Sequence, residues 1–124
     1  MAYDWAAPMT PLWTRMRALF LDTLSRARVP PRMGLSLYAT FVAAGLPEPE
    51  LRLECAVRGG ARLFAWGFAN LLVGVLPLME RLGVATAADL EPDTLAERLL
   101  GDVLAAGGIV IAPPLVGAWT HTPA

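Results

Sequence analysis

The segment 31–58 constrains the fold more than any other part of the chain, because it joins a helical pattern directly to a strand pattern. Its sequence is PRMGLSLYATFVAAGLPEPELRLECAVR. Apolar side chains at helical spacing predict a helix that ends at Gly45, and the prolines that follow prevent its continuation. From Leu51 to Val57, apolar and polar residues alternate, which predicts a strand with one apolar and one charged face. A helix that leads into a strand is half of an α/β unit, and a charged face is typical of a sheet edge.

One helix is predicted before this segment and another after it. Thr10 is a favourable N-cap and Pro11 a favourable first helical residue, so a helix is predicted to begin there. A long apolar helix is predicted from about Arg62 to Leu76, and Pro77 should kink or restart it. The region 59–107 is therefore expected to be mostly helical.

The C-terminal part predicts a last helix and a second strand. Thr94 and Glu97 have the spacing of a capping box at the start of that helix, and Gly107 ends it. A β-branched run then predicts a strand over about 108–119 with a kink or bulge at Pro113-Pro114. Two strands are too few for a stable sheet in water, so the pattern indicates a fold that needs further strands.

Composition narrows the class of protein. The chain has 124 residues, enough for one domain or a piece of a larger one. Its hydrophobic fraction of 56% exceeds the roughly 45–50% of soluble domains. A membrane protein, a subunit with a large interface and a fragment of a larger fold would each explain this. A net charge of −1 gives no basic footprint for nucleic acid, and one cysteine and one histidine exclude a disulfide and a Cys/His metal cluster.

The stretch from Leu63 to Met79 contains no charged residue and reaches the lower length limit of a membrane span, about 17 residues. Asn70, two glycines and Pro77 interrupt it, so a buried or interface helix is the preferred interpretation. The N-terminus has no pattern of a secretory signal, and we expect a cytoplasmic protein.

In this order, the elements resemble the C-terminal half of bacterial class I S-adenosylmethionine-dependent methyltransferases. The resemblance is to the small-molecule type that includes ubiquinone/menaquinone-biosynthesis-like enzymes. It covers nearly the whole chain, and the segments AAGLPEPELRLE and PPLVGAWTHTP carry it most specifically. It implies an α/β, Rossmann-like sheet of which this chain holds an antiparallel pair of strands. Residues 51–57 would be the sixth strand, at the edge, and the strand near 108–119 the seventh, between the fifth and the sixth.

The resemblance also implies a single partial domain over 1–124. Within it, 1–9 would be a tail after the missing fifth strand, 10–58 helices and the edge strand, 59–107 a helical insertion, and 108–124 the last strand and tail. The family holds S-adenosylmethionine with a glycine-rich loop and an acidic residue, both in its N-terminal half. Neither pattern occurs here, so we expect no cofactor binding and no activity from this chain alone. The expected partners are the missing N-terminal half or a second copy, and a small-molecule acceptor.

If the resemblance holds, six residues are candidates for substrate binding. They are Tyr3, Asp4, Trp5, Phe64, Trp66 and Phe68. Residues 3–5 resemble those that follow the fifth strand of the family, where a carboxylate could orient or deprotonate a nucleophile and rings could form an apolar wall. The alternatives are an unstructured tail for 3–5 and ordinary helix packing for the others. No residue is assigned a catalytic or metal-binding role.

Five further residues have side chains that can serve in a site. Arg32, Tyr38 and Arg58 could reach a polar group of a substrate, or be solvated and packing residues. Cys55 shares the apolar strand face and is expected to be a buried, inert thiol. His121 is expected to be a solvated tail residue.

Two other functions remain open at this point. The hydropathy allows a small membrane protein with a span near 63–79. The unpaired strands allow a stand-alone ligand-binding module that dimerises through them.

Overall fold

The computed structural model describes residues 4–60 and 67–123. This part of the chain is α/β and contains two small antiparallel sheets. The helices are α1 (Pro11–Arg26), α2 (Leu37–Ala43), α3 (Phe68–Arg81), α4 (Ala87–Leu90) and α5 (Leu95–Ala105), with a 3₁₀ turn at Met33–Ser36. The strands are β1 (Ala6–Ala7), β2 (Glu50–Glu54), β3 (Val57–Gly59), β4 (Ile109–Ile111) and β5 (Leu115–Trp119).

Two chain segments form a ribbon that runs through both sheets. Strand β2 pairs with β5, and β3 pairs with β4, in both cases antiparallel. Between the two ladders, Cys55-Ala56 faces the three residues Ala112-Pro113-Pro114, so the second segment carries one extra residue. The predicted antiparallel pair and the predicted bulge at the prolines are both confirmed. The break in the first segment at Cys55-Ala56 was not predicted.

A third strand at the N-terminus completes the first sheet. Strand β1 pairs antiparallel with β4, which gives the order β1-β4-β3. Strand β4 therefore lies in the middle of this sheet, and β3 lies at an edge. A Cβ on Gly108 would collide with the carbonyl oxygen of Ala7, so a residue without a side chain lets β1 approach here. The expectation that residues 1–9 form only a tail is wrong for Ala6–Ala7, because Ala6 is fully buried.

Helices α1, α3 and α5 enclose the hydrophobic core around Trp13. Its side chain is fully buried, and its indole Nε1 donates a hydrogen bond to the Leu99 carbonyl at 2.9 Å. Its ring stacks on Phe68 with centroids 5.7 Å apart. Thr10 Oγ1 also donates to Asp102 Oδ2 at 2.9 Å, so two contacts join α1 to α5. Other fully buried side chains of the core are Met16, Leu72, Met79, Leu90, Leu95, Leu99, Val103 and Val110.

The start of α1 confirms the prediction from its sequence, whereas α3 continues past Pro77, where a kink or restart was predicted. Thr10 Oγ1 accepts a hydrogen bond from Trp13 N at 3.4 Å, as an N-cap does. Helix α3 continues through Pro77, so of the two predicted effects of this proline the restart does not occur. Proline leaves the carbonyl four residues earlier without its donor, and both Pro77 and Val73 are exposed. The helix therefore accommodates the proline on its outer side.

The capping box lies one element earlier than predicted. Asp89 Oδ2 accepts from the backbone N–H of Thr86 at 2.8 Å, and the Thr86 side chain caps the same turn at the start of α4. Thr94 makes no capping hydrogen bond with its side chain, which accepts instead from Arg98 Nε at 3.1 Å. The capping box predicted from the Thr94–Glu97 spacing is therefore wrong, because the Thr94 hydroxyl accepts a hydrogen bond from Arg98 instead.

The segment between α1 and α3 contributes almost nothing to the core. Among its described residues from 24 to 60, Pro49 alone is buried. Every residue of β2 is exposed, and no residue of α2 is buried. The predicted apolar faces of the two elements are therefore not buried in the described part of the chain. Cys55 is exposed, so the expectation of a buried thiol is wrong, and its Sγ lies 3.1 Å from the Ala112 carbonyl oxygen.

Within residues 4–60 and 67–123, no helix is long and apolar enough to cross a membrane. Helix α3 covers Phe68–Arg81, and the first residues of the stretch 63–79 lie outside the described part.

Replacing the central indole should destabilise the core selectively. We expect Trp13→Phe to lower the free energy of unfolding by about 2 kcal/mol, because it removes a buried hydrogen bond and leaves a cavity. Trp119→Phe is the matched control, since Trp119 is 43% exposed and should cost less than about 0.5 kcal/mol. Urea denaturation of both variants measures the difference. Equal losses would contradict the central role of Trp13.

The cap of α4 should make stability depend on pH. Hydrogen bonds from Thr86, together with the nearby Arg15 guanidinium, lower the pKa of Asp89 below its usual value. A carboxyl whose pKa is lower in the folded state stabilises the protein above the unfolded pKa and stops doing so as pH falls through the folded one.

We therefore expect Asp89→Asn to be less stable than the wild type at pH 7, with the gap narrowing below about pH 4. Urea denaturation at pH 7 and at lower pH measures this gap. A gap that stays constant across that range would contradict the assigned pKa shift.

Candidate functional site

A candidate site is a groove between α1, the 3₁₀ turn and the ribbon. It has a volume of about 620 Å³. The described residues that line it are mostly apolar: Trp5, Arg17, Phe20, Leu21, Leu24, Pro31, Arg32, Gly34, Leu35, Leu53, Leu71, Pro113, Pro114, Leu115 and Val116. We refer to this set as the groove.

One wall of the groove comes from a single face of α1. Arg17, Phe20, Leu21 and Leu24 follow one another at spacings of three, one and three residues, so they lie on one side of the helix. Trp13 precedes Arg17 by four residues and Phe20 by seven, so it lies on the same side of the helix, nearer to its N-terminus. One apolar stripe of α1 therefore packs in the core around Trp13 and lines the groove further along the helix, and Phe20 and Leu21 also pack against the core.

The opposite wall comes from the ribbon and the 3₁₀ turn. Leu53 pairs with Val116 in the β2–β5 ladder, and both line the groove. A Cβ on Gly34 would lie only 3.0 Å from the Cβ of Val116. The absence of a side chain at Gly34 lets the turn close down on β5 and shape this wall.

The inner end of the groove rests on a cluster of aromatic rings. The Trp5 side chain is 5% exposed, and its ring meets Phe68 edge-on with centroids 4.9 Å apart. Phe20 lies 5.8 Å from the Trp5 ring and joins the same cluster. Such pairs stabilise by about 0.5–1.5 kcal/mol beyond area burial, so the cluster gives the groove a firm floor.

Arg17 brings a positive charge into this apolar surrounding. Its Cζ lies 5.6 Å from the centroid of the Trp5 ring, a cation–π contact. Its Nε is buried and has no hydrogen-bond partner in the part of the chain that the structure describes. A buried, unpaired donor costs about 1–3 kcal/mol. The groove also contains Arg32, and none of its described lining residues is acidic.

The six predicted site residues have different positions relative to the groove. Trp5 lines it, as expected for a residue that forms an apolar wall. Phe68 is fully buried behind Trp5 and supports that ring without lining the groove. Asp4 is exposed and lies outside the lining set. Tyr3, Phe64 and Trp66 lie outside the described residues.

The other residues that were considered for a site also have different positions and contacts. Arg32 lines the groove. A hydrogen bond with the Glu48 carboxylate raises the pKa of Tyr38. Arg58 Nη1 donates to the Val57 carbonyl at 3.0 Å. His121 is exposed, as predicted.

Sequence reasoning missed Arg17, Phe20 and Leu24 as groove residues. The spacing of 17, 20, 21 and 24 was the available signal, since it puts an arginine on the same side of the helix as three apolar residues.

The lining residues can bind a ligand but cannot transfer protons. No carboxylate, imidazole, thiol or hydroxyl side chain occurs among the described residues of the groove. Across 4–60 and 67–123, no group of three or more His, Cys, Asp or Glu residues is placed to hold a metal ion. The groove therefore offers apolar contact, exclusion of water and a guanidinium.

No protein-family model, curated protein or solved structure matches this chain.

Two glycine substitutions should act in opposite directions. We expect Gly34→Ala to lower the free energy of unfolding by about 1 kcal/mol, because its Cβ would press on Val116 at the groove wall. Gly74→Ala is the control: Gly74 lies inside α3 with open space around it, so alanine should stabilise the protein by about 0.5–1 kcal/mol. Urea denaturation distinguishes the two signs. A stabilising Gly34→Ala would mean that the turn does not close on β5.

Proposed function

We propose that this chain is the acceptor-side, C-terminal part of a class I, Rossmann-like methyltransferase that transfers a methyl group from S-adenosylmethionine to a small molecule in the cytoplasm. The strand order β1-β4-β3 is the observation that carries the proposal. It has β4, the first part of the strand predicted over about 108–119, antiparallel between an N-terminal strand and an edge strand. The resemblance implies this same order for the fifth, seventh and sixth strands of the family.

The open edge of the first sheet supports the proposal. Strand β1 pairs with β4 on one side, and no described strand lies on its other side. Parallel strands of a cofactor-binding half would extend the sheet from this edge. In the proposed enzyme, that half supplies the S-adenosylmethionine site and β1 is the end of the strand that joins the two halves.

The exposed apolar residues between α1 and α3 give further support. They include Leu35 at 59%, Leu53 at 58% and, across the ribbon, Leu115 at 70% exposure. Large exposed apolar patches mark surfaces that another element covers. In our proposal, the missing half covers much of this surface and closes the groove.

The groove has the properties that a methyl acceptor needs. Methyl transfer depends mainly on alignment and a water-poor pocket, and it needs a base at most. Trp5, which directly precedes β1, forms one wall, and apolar side chains form most of the others. The groove would hold the acceptor, and the absent half would hold the cofactor.

A second candidate is a module that dimerises through its exposed strands. The observation that favours it is the row of exposed apolar side chains on β2 and β5, which a second copy could cover. A ligand could then bind in the groove without a methyltransferase half.

The test of the methyltransferase proposal is calorimetric titration with S-adenosylmethionine of two proteins. One is the 124-residue chain, and the other joins it to the segment that its coding DNA encodes upstream or in an adjacent frame. We expect the joined protein to bind with micromolar affinity and the chain alone to show no binding. The upstream segment should contain a strand, a glycine-rich loop and a helix.

Three results would contradict the proposal. They are micromolar binding of the cofactor by the chain alone, an upstream region without that pattern, and a joined protein that does not bind the cofactor. Sedimentation of the chain alone tests the second candidate, which requires a discrete dimer.

A further inference from the structure

We infer that the groove binds an organic carboxylic acid with a bulky apolar body, whose carboxylate is held by Arg17. The inference names the class of acceptor for the proposed methyltransferase, and in that respect it rests on the proposed function. The binding itself follows from the shape, the polarity and the charge of the groove.

The apolar body of the ligand is inferred from the walls of the groove. A volume of about 620 Å³ lies within the roughly 300–1,000 Å³ of small-molecule pockets. Leu21, Leu24 and Leu53 line opposite sides, and the Trp5 ring closes the inner end. Such walls favour a flat or branched hydrocarbon body over a sugar or another highly hydroxylated molecule, because they offer few partners for hydroxyl groups.

The carboxylate of the ligand is inferred from the position of Arg17. The contact with Trp5 orients its guanidinium, and the buried Nε lacks a hydrogen-bond partner among the described residues. A guanidinium edge presents two parallel N–H groups, which match the two oxygens of a carboxylate. A carboxylate bound at this edge would give Nε the acceptor that it lacks.

The charges around the groove favour an anion. On α1, Asp22 pairs with Arg26 at 3.2 Å, and on the ribbon Glu54 pairs with Arg52 at 3.0 Å. The acidic residues nearest in sequence to the two walls are thus paired with other arginines. Arg17 and Arg32 remain as the charged groups of the described lining. A cationic ligand would be repelled, a hydrocarbon would leave Arg17 Nε without an acceptor, and a neutral acceptor would make a weaker hydrogen bond than a carboxylate does.

The test uses ligands that share one apolar body and differ in the head group. Isothermal titration of the 124-residue chain with 2-naphthoate, 2-naphthamide and 2-naphthyl phosphate measures the preference. We expect the carboxylate to bind at least about tenfold more tightly than the amide, the size of one charge-assisted contact. We also expect it to bind more tightly than the phosphate ester.

Two charge-matched variants locate the preference on one residue. Arg17→Gln should reduce the carboxylate-to-amide ratio to about one. Arg15→Gln removes the same charge from the same helix, but Arg15 pairs with Asp89 at 3.2 Å and does not line the groove. We expect Arg15→Gln to keep the ratio of the wild type. Circular dichroism checks that both variants fold.

Several outcomes would overturn the inference. These are equal binding of acid and amide by the wild type, tighter binding of the phosphate ester, and an equal loss of preference in both variants. If Arg17→Gln does not fold, Arg17→Lys takes its place, and we expect it to reduce the ratio because lysine lacks the two-point edge. The titrations contain no S-adenosylmethionine, so their failure is distinguishable from failure of the proposed function.

Discussion

The structure depends on the burial of Trp13 among three helices. Its indole hydrogen-bonds the Leu99 carbonyl of α5 and stacks on Phe68 at the start of α3. This arrangement sets the rotation of α1 about its axis. Because Trp13 and Met16 fix the core side of α1, Arg17 and Phe20, which follow them by four residues on that same side, face the ribbon further along the helix. The groove is thus a consequence of how the core is packed.

The described chain therefore has two parts with different degrees of burial. Helices α1, α3 and α5, with β1 and β4, hold nearly all of the buried apolar side chains. The segment from the end of α1 to β3, together with β5, exposes most of its own. Regions with few buried contacts open at lower cost than a packed core. The groove lies at the boundary, with one wall firmly packed and the other held mainly by the bulged ribbon and the contact of Gly34 with Val116.

Local signals in the sequence predicted local structure well. Thr10 before Pro11 marked the start of α1, Gly45 adopts the left-handed conformation after α2, and the Pro113-Pro114 pair produced the bulge. These features depend on backbone geometry within a few residues, so a pattern is enough to predict them.

Features that depend on distant partners were not predictable in this way. The burial of Trp5 requires Phe20 and Phe68 from two helices, and β1 requires β4 from the other end of the chain. Periodicity identified the apolar face of β2 but could not indicate whether anything covers it, and so Cys55 was wrongly expected to be buried. Arg17 was overlooked because it lies on the apolar side of α1, whereas the charged residues of an amphipathic helix are expected on the opposite face.

The central claim is that a packed helical core carries a ribbon and a short helix whose apolar side chains are largely exposed. Hydrogen exchange of backbone amides in the isolated chain tests it most directly, because exchange reports the stability of each element separately. We predict that α1, α3 and α5 exchange slowly and together, whereas α2, β2 and β5 exchange much faster. Equal, strong protection of all six elements would show that the ribbon is already stable by itself and would contradict the account.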